Sequence, residues 1–129
     1  MNTKHVPDLE LCQEFDRLCK EKGIVVPETE FVWYKSCYEG DCIFGLMKSK
    51  GFPGYPAPLV PELDVILGGT GWAVIAEDDG YHWVYKKTKE SKLTYSLMGG
   101  HGMGPMDNPG NRRLSLINHL IAEGIITTL

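Results

Sequence analysis

The stretch that decides the fold is a predicted β-hairpin, and it reads Trp72-Ala-Val-Ile-Ala-Glu77, then Asp78-Asp-Gly80, then Tyr81-His-Trp-Val-Tyr85. Both outer runs are rich in β-branched and aromatic residues, which favour strands. The Asp-Gly pair between them is typical of a tight hairpin turn. The chain is therefore expected to be a folded domain that contains antiparallel sheet.

Two turn geometries fit this hairpin, and they differ in register. A two-residue Asp79-Gly80 loop pairs Ala76 with Trp83, whereas a three-residue loop places Ile75 beside Trp83. A slip of one residue moves every side chain to the opposite face of the sheet. We favour the two-residue loop because it separates apolar from polar side chains more cleanly. It also pairs Val74 with Tyr85 and predicts one shared face, made of Trp72, Val74, Ala76, Trp83 and Tyr85.

Two main helices are predicted from apolar residues spaced three and four apart. The first covers about residues 8–22 and ends at Gly23. The second covers about 109–123, begins at Asn108 or near Asn111, and ends at Gly124 with an apolar contact expected from Ile125. The two buried stripes are expected to be Leu11, Phe15, Leu18 and Cys19, and Leu114, Ile117, Leu120 and Ile121.

Shorter elements fill the region between the helices. Residues 31–35 are predicted to form a strand that turns at 39–41 and pairs with a strand over 42–47. Residues 50–60 hold three prolines and two glycines, so no regular structure is expected there. A short helix over 61–67 and a strand over 93–97 complete the prediction.

Together these elements predict one domain over residues 1–129. We expect an α+β fold in which an antiparallel sheet of three to five strands carries the two main helices, about 8–22 and 109–123, on one face. A chain of 129 residues is long enough to bury a single core without disulfides or metal.

Composition excludes several classes of function. The formal charge of −4 argues against nonspecific nucleic-acid binding, which needs clustered Lys and Arg. No apolar run approaches the roughly 20 residues that span a bilayer. The N-terminal residues lack the apolar stretch of a signal peptide, so a cytoplasmic protein is expected.

The four cysteines favour reduced thiols over a metal centre. Cys12 and Cys19 are seven residues apart on one helix, too far for a disulfide or a shared tetrahedral ion. Cys37 and Cys42 are spaced as half a metal site, or as a bridge in an oxidising compartment, but no second half-site accompanies them. We expect no metal and no cofactor.

Catalytic signatures are equally sparse. The glycine-rich segment 98–110 has neither the dinucleotide-binding nor the phosphate-loop spacing, and we interpret it as a linker or as a lid over a ligand. His101 lies within it. In the favoured register His82 faces Glu77, a pairing that is commoner as a cross-strand contact than as an acid–base pair.

Aromatic residues beside proline and on the hairpin predict a partner-binding surface, because exposed aromatic patches commonly mark interfaces. The candidate residues for that surface are Phe52, Tyr55, Trp72, Trp83, Tyr85 and His101.

The order of segments carries a resemblance as well. A helix, Thr29-Glu-Phe-Val-Trp33, a proline-rich segment, Pro61-Glu-Leu-Asp-Val-Ile-Leu67, an aromatic hairpin and a C-terminal Leu/Ile helix follow one another. This arrangement resembles small uncharacterised proteins of gut Bacteroidetes and their phages or mobile elements. The resemblance implies a genomic context and no catalytic residue.

The sequence therefore favours a small non-catalytic binding or accessory protein that acts through protein–protein contacts. A homo-oligomer is compatible with that function, and phage or mobile-element association is the context expected. The alternative is a small ligand-binding protein or enzyme with its site under the loop 98–110.

Overall fold

A computed structural model describes residues 5–49, 54–70, 72–76, 83–87, 94–97 and 108–129; between 72 and 97 the description is of the strands alone. The elements follow in the order α1 (Leu9–Lys22), β1 (Phe31–Tyr38), β2 (Asp41–Lys48), β3 (Tyr55–Ala57), α2 (Val60–Gly68), β4 (Trp72–Ala76), β5 (Trp83–Lys87), β6 (Thr94–Leu97) and α3 (Pro109–Ala122).

Helix α3 is the centre of the core. It begins where its cap predicts, because the Asn108 side chain accepts hydrogen bonds from the backbone N–H groups of Gly110 and Asn111 at 2.8 and 3.4 Å. The expected stripe is fully buried, and Leu116, Ser115 and Asn118 are buried too. Both α1 and α2 pack against α3, which explains why more than one of its faces is covered.

The end of α3 differs in one detail from the sequence prediction. Gly124 has a φ of 76°, as a glycine stop requires. The apolar residue buried beyond it is Ile126 and not Ile125, which is 44% exposed. The tight turn after the helix directs Ile125 outward and returns the next side chain to the core.

Helix α1 buries the predicted stripe together with Cys12, and it ends at Gly23, which has a φ of 68°. The segment before α1 is tied to the start of α3. Asp8 N–H donates to Asn111 Oδ1 at 2.7 Å, and Asn111 Nδ2 donates to Asp8 Oδ2 at 3.1 Å. Asn108 Nδ2 donates to the Val6 carbonyl at 3.0 Å. Side chains of α3 therefore fix the entry of the chain into its first helix.

The first sheet has the strand order β2-β1-β3 and is antiparallel throughout. The predicted hairpin 31–47 is confirmed. The expectation of no regular structure over 50–60 is wrong for Tyr55–Ala57, which pair with β1 and place Pro56 opposite Val32. Proline is tolerated there because β3 is an edge strand, where every second N–H points away from the sheet. The helix expected at 61–67 is α2, and Glu62 accepts a hydrogen bond from Leu59 N–H at 2.8 Å at its start.

The second sheet has the order β4-β5-β6 and contains the hairpin that decided the fold class. Val74 pairs with Tyr85 and Ala76 with Trp83, so the register expected from a two-residue loop is confirmed. The loop residues themselves lie outside the described ranges. Strand β4 packs against α3 and α2. The α+β class is thus confirmed, with the strands divided between two three-stranded sheets.

Candidate functional site

The residues predicted to form a partner surface are only partly described. Tyr55 is half-buried on β3; its ring centroid lies 6.1 Å from that of Phe44, and it packs against the core. Trp72, Trp83 and Tyr85 lie on β4 and β5, whose side chains are outside the description. Phe52, His101 and the segment 98–107 are outside it as well, so the surface stays a prediction.

Catalytic and metal chemistry find no support in the described part of the chain. No group of three His, Cys, Asp or Glu side chains there is placed to hold a metal ion. Ser115 Oγ and Asn118 Oδ1 have no hydrogen-bond partner among the described residues, but both lie in the α1–α3 contact, with Ser115 at 1% and Asn118 at 6% exposure. A hydroxyl that solvent cannot reach is not positioned to attack a substrate.

The surface that stands out is the outer half of the β1–β2 hairpin. We call residues 35–43 the hairpin arm. Every residue of the arm is exposed, although strand residues normally cover a core on at least one face. Its turn is Glu39-Gly40, with φ values of 50° and 87°, the backbone of a type I′ turn that suits the right-handed twist of paired strands. The arm is therefore a regular hairpin that extends beyond the core.

The base of the arm is firmly attached to the core. Phe31 and Trp33 pack against the core, and Trp33 Nε1 donates a hydrogen bond to the Pro7 carbonyl at 3.0 Å. Leu46, opposite Trp33, packs against the core as well. Because both strands are fixed at the base, the continuous β1–β2 pairing keeps the backbone of the arm ordered as far as its tip.

One face of the hairpin carries exposed apolar side chains, which we call the outer stripe: Tyr38, Ile43 and Met47. Tyr38 is 78%, Ile43 71% and Met47 37% exposed. The register places them on one face, opposite to the face on which Trp33 and Leu46 meet the core. Single exposed apolar residues are ordinary, but Tyr38 and Ile43 are diagonal neighbours on this face, and apolar side chains that cluster on a protruding hairpin commonly mark an interface.

The tip is closed by a disulfide between Cys37 and Cys42, which corrects the expectation of reduced thiols at these positions. The two residues are directly paired across the hairpin, with Cα atoms 4.1 Å apart. The sequence left a bridge between these two residues open as an alternative, and the β1–β2 register decides it. The other two thiols, Cys12 and Cys19, are free and buried, as expected.

A hollow of about 700 Å³ lies between the segment 24–30, α2 and residues 125–129. Its walls are mainly aliphatic. Three of its polar groups serve the fold: Glu62 accepts from Leu59 N–H, and the Thr29 and Thr70 hydroxyls donate to the Phe31 and Leu67 carbonyls, each at 2.8 Å. Glu28, Thr127 and Thr128 line the hollow as well. Ligand sites usually combine apolar walls with a few converging polar groups, so this hollow is a weaker candidate than the arm.

Sequence reasoning recognised the hairpin but did not single it out as a site. The available signal is the run Cys42-Ile-Phe-Gly-Leu-Met47, which is free of charge and apolar on both alternating faces. Such a strand is normally buried on both sides. Only the structure shows that Phe44 and Leu46 turn inward while Ile43 and Met47 face outward.

None of the helices in the described part of the chain has the length and apolar character that crossing a bilayer requires. No family model, curated protein or solved structure matches the chain.

Proposed function

We propose that this protein is a non-catalytic binding module whose contact surface is the hairpin arm, with the outer stripe as its apolar centre. The observation that carries the proposal is the exposure of Tyr38 and Ile43, at 78% and 71%, on a hairpin whose base is fixed in the core.

The composition and the ordered backbone of the arm support this function. Tyrosine is enriched at the centres of interfaces because its ring contributes much contact area and loses little conformational freedom. The arm has an ordered backbone before any partner arrives, so binding orders few additional groups. Charged side chains surround the tip, where Lys35 accompanies Glu39 and Asp41. An apolar contact with a polar rim is the arrangement expected of a protein partner.

The cellular context is part of the same proposal. We place the module in the cytoplasm, in association with a phage or mobile element, acting on a protein and not on nucleic acid. Exposed disulfides are generally reduced in a cytoplasm. The type I′ turn and eight residue pairs hold the β1–β2 register alongside the Cys37–Cys42 bond, so we expect the arm to keep its register and to bind in both redox states. The alternative site beneath residues 98–110 stays a prediction.

Site-specific photo-crosslinking tests the proposal. A photoreactive phenylalanine analogue replaces Tyr38 in one variant and Val65 in a control, because Val65 is equally exposed at 79% but lies on α2. We expect covalent protein adducts from position 38 and not from position 65, in cells that express the chain natively.

A competition experiment makes the result specific. Excess unlabelled protein should suppress the adduct, whereas the double variant Tyr38→Ser, Ile43→Ser should not. Both substitutions are on exposed side chains, where changes in stability are usually within about 0.5 kcal/mol, so the competitor remains folded. Equal labelling from positions 38 and 65, or no adduct from either, would contradict the proposed function.

A further inference from the structure

We propose that the partner of the β1–β2 hairpin, whose outer half is the hairpin arm, is a second copy of this chain, joined through antiparallel pairing of the two β2 strands about a two-fold axis at Gly45. This inference rests on the proposed function and names its partner. The product is a continuous six-stranded sheet, made from two three-stranded sheets of order β2-β1-β3.

The outer edge of β2 is available for pairing. β2 is the terminal strand of its sheet, and no other strand in the described ranges pairs with that edge. The Cα atoms of Cys37 and Cys42 are 4.1 Å apart, the close spacing of a pair that exchanges no backbone hydrogen bonds. Because the pattern alternates, Cys42, Phe44, Leu46 and Lys48 direct their backbone N–H and C=O groups away from β1. The edge therefore presents a row of donors and acceptors to another strand.

The side chains of β2 do little to prevent such pairing. Natural edge strands are commonly protected by charges, proline or a bulge. β2 has a charge only at its two ends, Asp41 and Lys48, and none over 42–47. It pairs with β1 without a break over eight residues, so no bulge turns the edge away.

Two-fold symmetry restricts the register. An antiparallel pair of identical strands in one sheet has its axis perpendicular to the sheet, so the residue on the axis faces its own copy. With Gly45 on the axis, Ile43 lies opposite Met47 of the second copy, and this pair occurs twice. Phe44 lies opposite Leu46 of the second copy on the other face, also twice. Ile43 and Met47 of the outer stripe thus each find an apolar neighbour across the axis.

The neighbouring symmetric register is less favourable. With Phe44 on the axis, Ile43 faces only Gly45 of the second copy, and Asp41 is placed beside Met47. Both registers set the outward-facing residues of β2 in hydrogen-bonded pairs, so the side chains decide between them. The Gly45 register leaves only the small Gly45 residues at the close, non-hydrogen-bonded position on the axis.

Gly45 provides a sharp test because the monomer tolerates a side chain there. A Cβ at Gly45 meets no atom of the described residues within 4 Å, and the same is true of Gly68 at the end of α2. Gly45→Glu places two glutamates opposite each other at the axis, and the Cα atoms of such a close pair are about 4.5 Å apart. Gly68→Glu makes the same change of charge away from β2 and is the matched control.

Sedimentation equilibrium on the full chain, from about 10 μM to about 1 mM, measures self-association. A single pair of strands buries less area than most stable dimers, so the upper part of this range is needed. We expect the wild type and Gly68→Glu to dimerise alike, and Gly45→Glu to raise the dissociation constant about tenfold or more, since like charges directly opposite each other are destabilising. A wild type that stays monomeric throughout, or a Gly45→Glu dimer as tight as the control, would overturn the second-copy proposal.

Cross-linking fixes the register. Gly45→Cys should give a symmetric disulfide dimer on air oxidation, with position 45 bonded to position 45 in peptide mapping, whereas Gly68→Cys should not. Bonding from 45 to any other position overturns the proposed axis. If position 38 captures a different protein while the chain stays monomeric, the second copy is wrong and the binding module survives. If position 38 captures nothing and the chain stays monomeric, both fail.

Discussion

Gly110→Ala is the substitution for which local sequence and tertiary structure predict opposite changes in the free energy of unfolding. Gly110 lies in the first turn of α3, where replacing glycine by alanine improves helix propensity by up to about 1 kcal/mol. In the folded protein a Cβ at this position collides with the backbone carbonyl of His5 and lies 3.1 Å from Pro7 Cδ. The segment 5–8 must therefore move away from α3 to make room.

The expected loss of stability follows from the hydrogen bonds that hold the segment 5–8 on α3. Its displacement strains or breaks the hydrogen bonds from Asn108 Nδ2 to Val6, from Asp8 N–H to Asn111, and from Asn111 back to Asp8. At about 1 kcal/mol each they sum to roughly 3 kcal/mol. After the gain in helix propensity, we expect a net destabilisation of about 2 kcal/mol.

Urea unfolding followed by far-ultraviolet circular dichroism measures the change in free energy of unfolding. Gly68→Ala is the matched control, because it makes the same replacement on a helix where a Cβ meets no described atom within 4 Å. We expect the control to be neutral or slightly stabilised. A Gly110→Ala protein at least as stable as the wild type would refute the docking of the segment 5–8 on α3. Coupling gives a second check: Gly110→Ala and Asn111→Ala disrupt the same contact, so their combined cost should be clearly less than the sum.

Two further predictions concern the cysteines. Replacing both Cys37 and Cys42 by serine removes a cross-link between residues five positions apart. Loop-closure entropy gives that cross-link about 2 kcal/mol of stabilisation. We expect its loss to appear as faster amide hydrogen exchange in the arm, while the core stays as protected as before. Unchanged exchange in the arm would show that the bond does not order it. Burial raises the pKa of Cys12 to about 12 and that of Cys19 to about 11, from 9.0 in an exposed thiol. The unfolded chain therefore loses these protons at lower pH than the folded protein does, so the free energy of unfolding should fall as the pH rises above about 9, and it should fall less in Cys12→Ala. Iodoacetamide at pH 8 should label these thiols only when the protein unfolds. Fast labelling of the native protein would show that they are not buried.

Elements with strong local signals were predictable from the sequence. Asn108 ahead of Pro109 located the start of α3, because a side-chain acceptor and a fixed φ act within one helical turn. The Asp-Gly signal and the segregation of side chains selected the β4–β5 register. The short strand Tyr55–Ala57 was missed because its prolines argue against a strand, and only the neighbouring β1 makes an edge position available.

The candidate site was less accessible to sequence reasoning. The run 42–47 was recognised as a strand, but its exposure was not predictable from its composition. An apolar strand is normally buried, and whether helices cover its outer face depends on how the rest of the chain packs. The Cys37–Cys42 pairing has the same origin, since two cysteines in a C-x4-C spacing lie opposite each other only if the turn is centred on Glu39 and Gly40.

By itself, the sequence determined the kinds of element in this protein, apart from β3, and the ends of α1 and α3, because periodicity, capping and turn chemistry act over a few residues. Tertiary structure alone decided which surfaces those elements leave uncovered. Helix α3 is enclosed by α1 and α2, while the hairpin arm extends past the core with Tyr38 and Ile43 in solvent. Burial is a property of contacts between distant parts of the chain, and the proposed site exists because no described element packs over the arm.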